Sequence, residues 1–361
     1  MLRIDTATPS DDIYIRDILA DTDMDTHISF HFDRKPSYFD SLETDGFDNV
    51  TIVGRDREGD VQGFGTCVFR KVLWDREVQT IGYLHNLRLR KGFRNGYSLG
   101  FGYKKFNDIA AERGVKYYLT SIMADNKDAL RILTSGKGTL PEYHFLTDYY
   151  TMIINGSRPI RAGNSQYRIV KASEIGFDKI YEALLGIARQ TNGFPYFTFE
   201  ELFGTCHIPG FSGNDLFCAL DNNHNIVGIA GIWDLSSIKS IAINRYSTLL
   251  ALLRPFYNIF ACTSGRPLLP PADSPVNYSY IFPFIAAEGH NECLTPLLFA
   301  LSSNQQTDYL IAGSTVKPDR RILHYFKPII MKSKIYQVIW QGIDAGHIPH
   351  YLPIHQEVAQ L

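Results

Sequence analysis

The stretch Tyr83-Leu84-His85-Asn86-Leu87-Arg88-Leu89-Arg90-Lys91-Gly92-Phe93-Arg94-Asn95-Gly96 changes character at Arg90. Up to Leu89 it continues an apolar, strand-like run that begins near residue 80. Residues 90–96 then form a basic loop that bears glycine. Helical spacing follows over residues 97–113 and ends at Gly114, a C-cap signal. From Asn86 to Asn107 there are six basic residues (Arg88, Arg90, Lys91, Arg94, Lys104, Lys105) and no acidic one. A strand that runs into such a loop, with the loop opening a helix, presents several backbone N–H groups at a helix N-terminus. That arrangement suits a phosphate. A solvated turn with surface lysines is the other reading of the same residues.

Working outward, strand and helix patterns alternate on both sides. Residues 2–7 read as a strand, followed by Pro9-Ser10-Asp11-Asp12, a helix start with acidic residues in its first turn. Residues 50–55 and 61–68 read as two strands around the turn Asp56-Arg57-Glu58-Gly59-Asp60. After the helix at 97–113 come a strand at 115–122, a short helix at 126–134 and a strand at 144–154. Residues 155–166 break any period and read as a linker, formally 156–166 between units at 1–155 and 167–361. The same order then begins again: strand 167–172, helix 175–190, a hairpin of 215–220 and 226–233, and strand 276–284. A glycine loop, helix 292–303, strand 309–313, helix 319–326 and strand 334–340 complete it. The class is α+β, with two copies of one unit, each a mixed central sheet flanked by helices.

Composition bounds the function. Of 361 residues, 45% are hydrophobic and 20% charged, so a packed chain is expected. Thirty-six basic and 38 acidic side chains leave a net charge of -2, which argues against a general nucleic-acid binder. No apolar run reaches the roughly 18–20 residues of a membrane span. The best candidate, around residues 249–253, is stopped by Arg254 and Pro255. Residues 1–10 hold no apolar signal core, so a cytoplasmic protein is expected, with no membrane or nucleic-acid partner. Five cysteines (Cys67, Cys206, Cys218, Cys262, Cys293), without a CxxC pair, read as reduced thiols; no metal site is expected.

The central run and the residues after it resemble the cofactor-binding core of the GNAT superfamily, the acetyl-CoA-dependent N-acyltransferases. Phe93-Arg94 stands where that family has its aromatic-arginine pair. The helix at 97–113 comes next, then Tyr117-Tyr118-Leu119-Thr120-Ser121-Ile122, then Asn126-Lys127-Asp128-Ala129, similar to the family's N-x-x-A helix start. The resemblance covers residues 1–155 and, more faintly, the rest. The sequence departs from the family at two places. Arg94 is followed by Asn95-Gly96-Tyr97-Ser98-Leu99-Gly100, so the glycine comes one residue early. The family's tyrosine, seven residues after the asparagine, is Leu133 here.

The resemblance implies an acyl-CoA co-substrate, acetyl-CoA or another, and direct attack of an amine on its thioester. It assigns the pantetheine arm to Leu87, Arg88, Leu89, Ser121 and Asn126, and the pyrophosphate to Arg94, Asn95, Gly96 and Ser98. His85 matches a histidine of arylalkylamine N-acetyltransferases and is the candidate base, its ordinary pKa of about 6.5 suiting the task. A histidine bonded within the sheet and inert is the alternative. Tyr143 or Tyr149 would replace the missing tyrosine as acid. His27, Phe30, His31 and Phe32 would form the acceptor wall, although the alternation of Ile28, Phe30 and Phe32 equally suits a strand on the core.

In the second half the corresponding loop, residues 285–292, has two acidic residues and no Lys or Arg, so it reads as a degenerate copy without a cofactor. Fold analogy also brings the end of the chain, Leu361, toward the active site. The function expected is N-acylation of a small-molecule amine. An acyl-CoA-binding regulator without turnover, which Leu133 favours, and transfer from an acyl carrier protein are the alternatives. Oligomerisation is left open.

Overall fold

The structure is a computed structural model that describes residues 3–21, 28–93, 96–156, 165–205, 207–304, 307–343, 346, 348 and 351–361. Its strands are β1 (Arg3–Thr6), β2 (Ile28–Arg34), β3 (Asp48–Arg55), β4 (Val61–Trp74), β5 (Glu77–Leu89), β6 (Tyr118–Met123), β7 (Glu142–Asn155) and β8 (Arg168–Lys171). They continue with β9 (Phe194–Pro195), β10 (Phe217–Leu220), β11 (Ile226–Trp233), β12 (Lys239–Tyr246), β13 (Ser274–Pro275), β14 (Tyr278–Ala286), β15 (Tyr309–Ser314) and β16 (Ile329–Ile339). The helices are α1 (Asp12–Asp21), α2 (Tyr38–Ser41), α3 (Gly96–Arg113), α4 (Lys127–Leu133), α5 (Phe177–Ala188), α6 (Phe199–Leu202), α7 (Thr248–Ser264), α8 (Leu294–Asn304) and α9 (Arg320–Tyr325).

Local chemistry accounts for these elements. Asp11 accepts the Thr8 N–H at 2.9 Å in the turn that leads into α1, and Ile15, Ile18 and Leu19 then face the core at helical spacing. In α5 the buried set is Ile180, Leu184, Ile187 and Ala188, one stripe of the helix. β4 is buried along nearly its whole length, because elements cover both of its faces. Phe194 stacks on Phe282, and Phe197 meets both Phe282 and Trp233 edge to face, in the second core.

One large sheet runs β1-β3-β4-β5-β6-β16-β7-β15-β14-β11-β10-β8, with β9 against β4; β13-β12-β2 forms a smaller one. In the large sheet, β5–β6 and β14–β15 are the parallel pairs and the other neighbours are antiparallel. The order exposes an exchange. β7 closes the first half of the sequence but pairs with β15 of the second, Tyr309 opposite Asn155. β16 closes the second half but pairs with β6 of the first, Ser333 opposite Met123. The smaller sheet also joins the halves, with β2 paired to β12 from Lys239–Arg34 to Tyr246–Ile28.

Six elements were not assigned by the periodic patterns: α2, β9, α6, β12, α7 and β13. β2 takes up the alternation of Ile28, Phe30 and Phe32 as the strand that was one of its two readings. Of the longer unassigned elements, β12 follows the hairpin β10–β11 and α7 contains Pro255. The helix tolerates its proline at the cost of one backbone bond.

Candidate active site

A bulge shapes the site. On β4, Phe64 pairs with Arg88 and Thr66 with His85, so Asn86 and Leu87 of β5 stand opposite Gly65 alone. Asn86 takes φ 54°, a left-handed conformation that asparagine tolerates better than most residues. The β5–β6 pairing runs from Gly82 opposite Tyr118 to Leu84 opposite Thr120 and stops there. Beyond that point the two strands part.

The gap opens into a cavity of about 690 Å³, a size ordinary for a small-molecule site. One wall is β5, with His85, Asn86, Leu87, Arg88 and Leu89; the opposite wall has Ser121, Ile122, Met123 and Asn126. Ser98 and Tyr103 of α3 line the same space. Phe32 and Phe30 of β2, paired with Ile241 and Ile243 of β12, line it from the smaller sheet, and Val358, Ala359 and Leu361 line it from the last residues. The lining is mainly apolar, with polar groups clustered around His85.

Sequence candidates thus converge in large part. Leu87, Arg88, Leu89, Ser98, Ser121, Asn126, His85, Phe30 and Phe32 all line the cavity. Gly96 begins α3. Arg94, Asn95 and His27 lie outside the described residues. His31, one position out of phase with Phe30 and Phe32, stands on the other face of β2 beside Arg16 and Asp33. Tyr143 is absent from the lining. Its hydroxyl bonds to that of Tyr103 at 2.6 Å, and burial raises its pKa well above the usual tyrosine value. Tyr149, fully buried, donates to the Gln356 carbonyl at 3.0 Å. Of the polar pair expected to hold pantetheine, Ser121 accepts from the Tyr83 hydroxyl at 2.8 Å. Asn126 caps α4 by accepting the Ala129 N–H at 3.0 Å. Leu133, seven residues after Asn126, lines the cavity.

The environment of His85 departs from that of a free imidazole. Its Nδ1 lies 3.1 Å from Asn86 Nδ2, which also donates to the Tyr38 hydroxyl at 3.2 Å. Tyr38 in turn meets Thr66 at 2.6 Å, and Thr66 meets Thr51 at 2.9 Å. An amide nitrogen only donates, so Nδ1 accepts and the ring hydrogen sits on Nε2. That Nε2 is shielded from solvent and has no partner among the described residues. Burial lowers the His85 pKa to about 3; Asp45 opposes the change, while Arg34, Arg70 and Lys239 add to it.

Those four charges form a buried cluster that sequence reasoning missed. Asp45 is wholly buried and meets Arg34 at 2.8 Å and the Lys239 ammonium. Burial alone would raise the Asp45 carboxyl, but Lys239 and then Arg34 outweigh it and hold it below the usual carboxylate range. Burial brings the Lys239 ammonium down to about 8 against the pull of Asp45. Arg70 donates to the Asp45 carbonyl at 2.6 Å. The same groups grip the end of the chain: Lys239 donates to the Ala359 carbonyl and Arg70 to that of Gln360. The residues come from positions 34, 45, 70, 239 and 359–360, so no local spacing could have shown them.

No family model matches the sequence, and no curated protein matches it. Solved structures do. A GCN5-related N-acetyltransferase from Sphaerobacter thermophilus superposes with a TM-score of 0.59 at 13% identity, covering 95% of this chain and 97% of that one. The chain has the GNAT fold. The likeness extends over nearly the whole length and includes N-myristoyltransferase from Saccharomyces cerevisiae with bound myristoyl-CoA, with a TM-score of 0.55, 10% identity and coverage of 98% and 84%. A glucosamine N-acetyltransferase region of a fungal multi-domain β-N-acetylglucosaminidase matches with a TM-score of 0.58 at 10% identity, over 93% of this chain and 38% of that one.

Proposed function

We propose that the protein is an acyl-CoA-dependent N-acyltransferase acting on the amine of a small molecule. The observation that carries this reading is the parting of β5 and β6 at the Asn86 bulge, which opens the cavity beside a strand edge and the start of a helix. The edge residues Leu87, Arg88 and Leu89 would pair with the pantetheine arm as an added strand. The first turn of α3, with Gly96 and Ser98 and the preceding Arg94 and Asn95, would hold the pyrophosphate through backbone amides. Ser121 and Asn126 would flank the arm from the other wall, and Phe30 and Phe32 would wall the acceptor.

In the reaction the amine nitrogen attacks the thioester carbonyl carbon, the carbon–sulfur bond breaks, and the thiolate leaves and gains a proton. An acceptor that arrives as ammonium first loses one proton to solvent, and the second, shed by nitrogen as the amide forms, is the one the thiolate gains. With a pKa of about 3, taking up a proton at pH 7 would cost His85 about 5 kcal/mol. We therefore assign His85 a different task from the base expected of it: its ring turns toward the cavity as substrate binds, and its Nε2–H, shielded and without a partner among the described residues beforehand, donates to substrate oxygen as charge develops. The acceptor then reacts as the neutral amine. The second half supplies Ile241, Ile243 and the chain end to the cavity, which favours a small acceptor over a folded protein.

The test is direct. Purified protein is titrated with acetyl-CoA and longer acyl-CoAs by calorimetry, then assayed for thiol release across a panel of amines. Binding with amine-dependent thiol release supports the enzyme. Binding without turnover for any amine supports the regulator, and turnover with an acyl carrier protein alone supports that donor. Absence of acyl-CoA binding overturns the reading.

A further inference from the structure

The helix α7 is built inside out. Leu249, Leu252, Leu253, Phe256, Ile259 and Phe260 are each 47–70% exposed. At about 100° per residue they share one arc of the helix, roughly 120° wide. The buried residue of this helix is Ala261 alone. Asn258, Arg254 and Tyr257 face the protein instead. Asn258 exchanges two hydrogen bonds with the backbone of Leu269, at 2.9 and 2.8 Å. Arg254 donates to the same carbonyl at 3.2 Å, and Tyr257 donates to that of Pro267 at 3.1 Å. The outward direction of the apolar arc is therefore fixed by bonding on the opposite side.

Charge says what covers it. Between Asp234 and Asp273 the sequence has no carboxylate, and besides Lys239, which is buried against Asp45, it has three cations, Arg245, Arg254 and Arg266. Lys327 adds its ammonium at the C-terminal end of the helix, donating to the Ser264 carbonyl at 2.9 Å. An exposed apolar arc in a segment of purely positive charge has the character of a helix that lies in a lipid interface. A two-fold contact with a second copy would set the same cations against themselves, which is unfavourable. We propose that α7 docks this protein on an anionic phospholipid surface.

A helix of this kind does not span. No described helix is long and apolar enough to cross a membrane, and Arg254 and Pro255, which interrupt a span, do not interrupt an arc. The docking also has a place in the fold. Tyr246 just before α7 and Leu268, Leu269 and Pro270 just after it line the cavity described above, so the docked face lies beside that cavity's second-half wall.

The experiment is co-sedimentation of the full chain with vesicles of phosphatidylcholine, with and without phosphatidylserine. The comparison variant carries Leu252→Asn and Phe256→Asn, two exposed positions outside the cavity. Binding to the anionic vesicles is expected, weakened by salt, with affinity at least about ten-fold lower in the variant. Thermal melting should be the same for both proteins, since neither side chain is packed. The proposal is overturned if anionic vesicles fail to retain the protein or retain the variant equally. Equal retention by uncharged vesicles overturns the anionic assignment. A wild-type dimer by light scattering that the variant converts to monomer, without vesicle binding, would show that a second copy covers the face.

Discussion

Asn86 donates through Nδ2 to Nδ1 of its neighbour His85 at 3.1 Å, and the bulge that makes this contact is the one that parts β5 from β6. One backbone irregularity thus opens the cavity and fixes which ring nitrogen keeps its hydrogen. If His85 acts as a donor, His85→Gln, which preserves an N–H, should stay within a few-fold of wild type, whereas His85→Ala should lose about 10²-fold in kcat. The wild-type logarithm of kcat/KM should go on rising above pH 6.5, following the free amine. An inflection near 6.5 that disappears in His85→Gln would make His85 the base instead.

The same burial links His85 to stability. Its folded-state pKa of about 3 lies below the ordinary 6.5, so the unfolded chain binds the extra proton. The contribution is whole above pH 6.5 and is lost as the pH falls toward 3, by about 2 kcal/mol at pH 5. Urea unfolding of wild type and His85→Gln at pH 7.5, 6 and 5 checks this. The wild type should lose ground on the variant at each step; parallel curves would refute the coupling.

Asp45 neutralises a wholly buried site shared with Arg34 and Lys239. Asp45→Asn leaves those cations without their counter-ion and should cost about 3–5 kcal/mol in chemical denaturation. Adding Lys239→Met to Asp45→Asn should restore part of the loss, because one uncompensated charge is then removed. Strict additivity of the two substitutions would argue against the pairing.

Gly82 begins the stretch where β5 and β6 run together, at the end away from the gap. A Cβ there would lie 2.4 Å from two carbons of the Tyr118 ring, itself 2% exposed. Gly82→Ala should therefore destabilise the protein by about 1–3 kcal/mol and weaken acyl-CoA binding by widening the wedge from its closed end. Thermal melting and calorimetry measure both; a variant with unchanged stability would show that the ring yields freely.

The end of the chain is held by Lys239 and Arg70 and walls the cavity. Removing residues 358–361 should lower melting temperature and abolish acyl transfer together. Activity persisting in the truncated chain would remove this segment from the site.

Much of the fold was legible. The parting strands, the basic loop and helix α3 follow from residues adjacent in sequence, and apolar period 2 giving way to 3.6 marks each boundary. The alternation of Ile28, Phe30 and Phe32 belongs both to a strand and to a cavity wall, so two readings offered as alternatives describe one element. Seven of the nine proposed site residues that line the cavity do so for the same reason, since neighbours along β5, β6 and β2 stay neighbours in space; Ser98 and Asn126 join them from the helices that follow β5 and β6. Tyr143 and His31 show the limit. Each lies on a strand near the right place, and facing alone turns Tyr143 toward Tyr103 and His31 toward Arg16 and Asp33.

Sequence by itself determined the α+β pattern, the order of elements and the strand that carries the site, because these depend on local periodicity and turn chemistry. Tertiary structure alone decided the exchange of β7 and β16, the gathering of Arg34, Asp45, Arg70 and Lys239 around the chain end, and the low proton affinity of His85. Each of these arises from contacts between residues tens to hundreds of positions apart, whose energies no local pattern encodes.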